Sequence, residues 1–136
     1  MKIVIDTNVL MAGLLKDSIV RIILSSENIK FFLPEYSINE IKKHEKELIE
    51  KSGYDKEELD ALMNLLLENI DLVPQQEIRG YMKKAESIMK DIDIKDSSFI
   101  ATAMAIKADG ILSFDKHFLL QKIIKIFNVK ELMDKI

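Results

Sequence analysis

Cysteine is absent from this 136-residue chain, which removes disulfide scaffolds, thiol nucleophiles and zinc–thiolate sites from consideration. Glycine is scarce, and its four copies are scattered, so no phosphate-cradling glycine-rich loop is encoded. No serine lies in a glycine-flanked nucleophile elbow. No apolar run approaches the ~20 residues of a membrane span. Asp6 falls inside the first apolar run, unlike the core of a secretory signal, so the expected location is the cytoplasm. Repeats, low-complexity tracts and linkers are missing too. What remains is ordinary: 48% hydrophobic and 32% charged residues, at a length that suits a single soluble domain over residues 1–136.

Charge excludes little. The formal net charge of −3 argues at first sight against a nucleic-acid partner. The region from Lys107 to Ile136, however, carries six lysines against four acids. Any bound dication would also move the sum upward. An RNA or DNA partner is neither required nor forbidden.

Short β-branched runs alternate with helical patterns along the chain. Lys2 to Ile5 reads as a buried parallel strand, Lys30 to Leu33 as a second strand stopped by Pro34, and Ile70 to Val73 as a third ended by Pro74. Gly110 opens a strand over Ile111 to Ser113, and Lys125 to Phe127 forms the last. Between them the periodicity predicts helices over Val9–Leu15, Ser18–Ser26, Ser37–Lys51, Asp55–Glu68, Arg79–Lys90, Ser97–Ala108 and Lys116–Leu120. Gly53 closes the third of these. Such alternation predicts an α/β fold, a three-layer α/β/α sandwich with a central parallel sheet. The alanine-rich helix from Ser97 can pack close to that sheet, and the leucines from Leu59 to Leu67 suit either core or an interface.

Four carboxylates stand at or near helix starts: Asp6, Glu40, Asp96 and Asp115, three of them following apolar strands directly or within a turn. Singly, each has a structural reading. Glu40 completes a capping box with Ser37, Asp96 and Asp115 can cap the segments after them, and Asp6 can form a turn with Thr7 and Asn8. Jointly they suggest a site, because in open α/β sheets ligands bind where strands end. Two unpaired carboxylates ~4 Å apart repel by ~4 kcal/mol at an effective dielectric of ~20, so converging acids need a cation. Oxygen ligands without cysteine or obvious histidine suit Mg²⁺ or Mn²⁺. Asp6, Asp96 and Asp115 are the candidate metal ligands, Thr7, Asn8, Asp93 and Ser113 auxiliary or supporting groups. Lys116, and with less weight Lys95, would contact flanking phosphates. An EF-hand starting at Asp91 fails, since Asp96 takes the place of the required glycine and Thr102 that of the terminal glutamate. His44 reads as a surface residue, and His117, beside Asp115, as a weak candidate for touching substrate.

The opening IVIDTNVL, the helix bearing Glu40, DSSFIATAMAI and ILSFDKHF together resemble the PIN domain, the nuclease fold that includes the VapC-type toxin ribonucleases. The resemblance spans essentially the whole chain and places the family's acidic quartet on Asp6, Glu40, Asp96 and Asp115. It implies Mg²⁺- or Mn²⁺-dependent phosphodiester cleavage, an RNA substrate with DNA left open, a homodimer and, for toxin members, a small antitoxin partner. Ser113 stands where many members carry threonine.

The expected activity is therefore a metal-dependent nuclease, with an endoribonuclease favoured and Glu40 orienting the attacking water. The rival is a PIN-like module that binds RNA or protein without cutting. An aspartyl phosphatase fits worse, because Asn8 occupies the place of its second acid.

Overall fold

The computed structural model describes residues 1–15 and 18–136. Five parallel strands form one sheet: β1 (Lys2–Ile5), β2 (Lys30–Pro34), β3 (Ile70–Val73), β4 (Gly110–Leu112) and β5 (Ile126–Phe127), in the order β3-β2-β1-β4-β5. Ile3, Val4 and Ile5 are all fully buried although successive strand residues face opposite ways, so both faces of the sheet are covered. The expected sandwich is the observed architecture. No helix among the described residues is long and apolar enough to cross a membrane.

The chain builds outward from β1 to β2 and β3, then crosses back to place β4 on the other side of β1. Strand order thus reverses beside β1, and the ends of β1 and β4 flank the crevice where doubly wound sheets bind ligands. Gly110 starts β4 because β5 passes too closely for any side chain: a Cβ there would sit 2.5 Å from the Lys125 carbonyl oxygen and 2.5 Å from the Phe127 ring.

Helices α1 (Thr7–Gly13), α2 (Ile19–Leu24), α3 (Tyr36–Lys43), α4 (Glu45–Ser52), α5 (Lys56–Leu67), α6 (Gln75–Ile78), α7 (Met82–Met89), α8 (Ser97–Ile106) and α9 (Val129–Met133) complete the layers. The alanine-rich α8 buries Ser97 through Ala103 and packs against β1, β2 and β4, as its composition suggested. In α5 a capping box between Asp55 and Glu58 fixes the start, and Leu59 and Leu66 are buried.

Three expectations need correction. The helix expected over Ser37–Lys51 is two helices, broken at His44, where φ is −100° and ψ 8°. Its apolar stripe has a gap at positions 44 and 45, so nothing there holds a continuous helix to the core, and Ile41 and Leu48 are buried on either side of the break. Gly53, at φ 76°, ends the second piece as expected. Ser37 is not a cap: it lies inside the first turn, fully buried, with its hydroxyl accepting from Thr7 Oγ1 at 3.1 Å. Finally, α6 and α9 carried too short an apolar pattern to be read from sequence, and α9 is held by a capping box between Asn128 and Glu131.

Candidate metal centre

Asp6 leaves β1 and caps α1, its Oδ1 accepting the Val9 amide at 2.9 Å. Its Oδ2 accepts the hydroxyl of Ser113, which follows β4. The same Ser113 oxygen accepts the Asp115 amide at 3.0 Å. One buried hydroxyl therefore ties the ends of the two central strands together and sets the spacing of their acids. Burial raises the Asp6 pKa, the Ser113 and Val9 hydrogen bonds oppose that rise, and the charge of Asp115 adds to it.

Asp96 ends a 3-10 turn (Ile94–Asp96) and directly precedes α8, yet its carboxylate makes no cap hydrogen bond. It faces the site instead. Its pKa is pushed up to about 6, first by desolvation and then by the charges of Asp93, Asp115 and Asp6, with His117 pulling it back. Asp115 turns toward His117, accepting its backbone amide at 2.9 Å and lying 3.3 Å from its Nδ1. Glu40, half-buried on α3, is 3.2 Å from Lys43 Nζ and raises the Tyr36 hydroxyl together with Asp96, after burial as the main cause.

These groups line one open cleft of about 440 Å³: Asp6, Glu40, Asp96 and Asp115, with Thr7 and Asn8 at its wall. Sequence separates them by more than a hundred positions at the extremes, Asp6 to Asp115, and the strand ends bring them together. Thr7 anchors α1 to α3 through Ser37, while Asn8 is exposed to the cleft. Asp93 caps the turn before Asp96, accepting the Lys95 amide at 3.1 Å. Oxygen or nitrogen atoms of Asp93, Asp115 and His117 all lie within 4.8 Å of one another. Asp6 and Asp96 stand outside that compact set, coupled to Asp115 through their fields.

The two lysines divide. Lys95 lines the acidic cleft, whereas Lys116 lines a neighbouring one that shares Asp115. Sequence reasoning passed over Tyr36 and set His44 aside as surface, yet both line the acidic cleft. Tyr36 was open to discovery by the rule that found the acids, since it opens the helix after β2. Its hydroxyl lies 2.6 Å from that of Ser98 and is fixed there.

Among the described residues neither Asp6 nor Asp96 has a basic partner in an ion pair. Carboxylates gathered in one cleft, with the charges of Asp115 and Asp6 raising the Asp96 pKa, form a candidate functional site even where Asp6 and Asp115 also cap the segments after them. Their all-oxygen donors fit a hard dication such as Mg²⁺ or Mn²⁺, and His117 at the edge is compatible with Mn²⁺.

No curated protein matches the sequence. The PIN domain family, a group that consists generally of nucleases, matches over residues 4–129, a span that includes every one of the four acids. The chain belongs to the PIN domain family.

Proposed function

We propose that the protein is a divalent-metal-dependent nuclease that hydrolyses phosphodiester bonds, and that its substrate is RNA cut internally. The observation that supports this most directly is the convergence of Asp6, Glu40, Asp96 and Asp115 on one cleft, where the charges of Asp115 and Asp6 add to the rise in the Asp96 pKa. A module that only bound RNA would be hindered by such a cluster.

Asp6, Asp96 and Asp115 would hold the ion, with Asp93 and His117 at its margin. A bound dication supplies a Lewis acid that lowers the pKa of water and stabilises charge developing on a phosphate. Ser113 opposes the burial-driven rise in the Asp6 pKa and fixes that carboxylate at the cleft. Glu40, which among the described residues pairs with the exposed Lys43, orients the attacking water and takes its proton. Lys95 offsets the charge of the substrate backbone. The water oxygen forms a bond to phosphorus, the bond to the leaving oxygen breaks, and that oxygen takes a proton from solvent as it departs.

The test is cleavage of mixed single-stranded RNA and DNA in Mn²⁺ and in EDTA. Cutting of RNA that EDTA abolishes, and that Asp6→Asn lowers by ~10²-fold or more with a native-like circular dichroism spectrum, supports the assignment. Near-wild-type cleavage by Asp6→Asn removes Asp6 from the site. A narrower reading, the toxin of a toxin–antitoxin pair held by a small antitoxin protein, rests on the resemblance of the motifs. Growth arrest on expression, relieved by Asp6→Asn, tests it.

A further inference from the structure

Beyond the acidic cleft, Asp115 also borders a second cleft of about 490 Å³ formed by the 113–119 segment, β5 and the start of α9. Its walls differ in kind from the first. Phe114 is 47% exposed although it sits between two residues, Ser113 and Asp115, whose side chains are committed to the metal centre. Lys116 and Lys130 line the same cleft, and neither makes an ion pair among the described residues. Glu131, an acid in the same wall, accepts the Asn128 amide in the α9 capping box. Phe114 also borders a third hollow, which shares Asn8, Met11 and His44 with the acidic cleft. Phe114 thus stands between two hollows, each of which shares residues with the acidic cleft.

An exposed aromatic ring flanked by uncommitted lysines is the combination that grips a single strand, the ring stacking a base and the amines meeting phosphates. Resting on the nuclease reading above, we propose that the second cleft is a subsite for single-stranded RNA flanking the bond that is cut. Phe114 stacks the base next to the scissile phosphate, and Lys116 and Lys130 contact the following phosphates. Continuity through Asp115 favours this occupant, because a strand whose phosphate sits at that acid can run on into the second cleft past Phe114. The subsite assigns Lys116 a phosphate downstream of the reacting one, not the reacting phosphate itself.

The experiment is binding of a fluorescein-labelled single-stranded RNA of about ten nucleotides, read by anisotropy. It is run in Ca²⁺, whose looser coordination disfavours the geometry of cleavage, with strand integrity checked on a gel. Phe114→Ala should weaken binding about five- to a hundredfold, the range measured for losing one stacked base, while Phe114→Trp restores it. Lys116→Gln and Lys130→Gln should each lower the slope of log affinity against log salt by about 0.7. Phe114 is half-exposed, so its truncation leaves the fold intact, and the lysine variants provide a second reading on unaltered packing.

If the wild type cuts and binds RNA but Phe114→Ala binds within twofold of it, the subsite is overturned and the nuclease assignment stands. If Phe114→Ala weakens binding as expected while no condition gives cleavage, the subsite stands and the nuclease assignment falls. If Phe114→Ala leaves RNA affinity alone but abolishes self-association in light scattering, the face belongs to a second copy of the chain and the subsite is overturned. A wild type that binds no RNA overturns both.

Discussion

At the scale of single residues, Asp96 separates the two readings that its sequence position allowed. The segment IKDSSF looks like a capped helix start, and Asp96 does occupy the capping position, but its carboxylate leaves the cap bond unmade and gathers charge from three other acids. Sequence could not show this, because a cap and a ligand demand the same residue at the same place. The pH dependence of the metal-free protein should show it. Asp96 has its pKa raised from 3.8 to about 6 in the folded state. Between those values the folded protein binds more protons than the unfolded one, so stability falls as pH rises through that window, and below it the contribution vanishes because both states are protonated. Asp96→Asn removes the effect and, being uncharged, should gain on the wild type from pH 4 upward. The gain should level off above pH 6 to 7 at about 1 kcal/mol once solvent screening is allowed for. Urea unfolding in EDTA across that range measures it. A variant that loses ground as pH rises would mean that the ionised carboxylate stabilises the fold, as a cap would.

Among the elements, strands were the most legible and short helices the least. β1, β2 and β3 were bounded in sequence by Asp6, Pro34 and Pro74, each of which ends a strand for a local reason: turn chemistry or a missing amide. The break at His44 was hidden because each half of the 37–51 segment is helical by itself, and only packing decides whether the halves are collinear. α9 was invisible to periodicity since five residues hold barely more than one turn, and its capping box is what gives it away. Gly110 was read as a strand opener, and the reason turns out to be contact rather than backbone conformation. Gly110→Ala should therefore push β5 off β4 and cost about 2–3 kcal/mol, because the obstacle is the Lys125 carbonyl as well as the Phe127 ring. Since β4 carries Ser113 and Asp115 at its end, the variant's nuclease activity should fall in Mn²⁺ even at temperatures where it remains folded. Chemical denaturation paired with the RNA cleavage assay checks both parts, and a variant as stable as the wild type would show that β5 yields freely.

For the whole molecule, the apolar excess that sequence suggested along Leu59–Leu67 is largely core: Leu59 and Leu66 are buried and Leu62, Met63 and Leu67 pack against them, leaving Leu65 exposed. The resemblance leads to the expectation of a homodimer, and exposed apolar side chains are found instead on α2, at Ile19 and Ile22, three residues apart. The acids raise a different global question, because they sit on separate elements. Asp6 follows β1, Glu40 lies on α3, Asp96 precedes α8 and Asp115 follows β4, so repulsion among them pushes apart the parts of the fold that meet at the crevice. A dication that binds only when these parts are assembled stabilises the entire chain by mass action, about 2.7 kcal/mol at a hundred times its dissociation constant. For a domain of this size that is a rise in melting temperature of several degrees. Mn²⁺ should raise the wild-type melting curve relative to EDTA, whereas Asp96→Asn should start higher in EDTA and gain less from the metal. The two effects have one origin, loss of a charge that repels its neighbours and attracts the ion, and so they should appear together. Equal Mn²⁺ shifts in both proteins would place Asp96 outside the metal's reach and leave Asp115, with Asp93 and His117, to hold it.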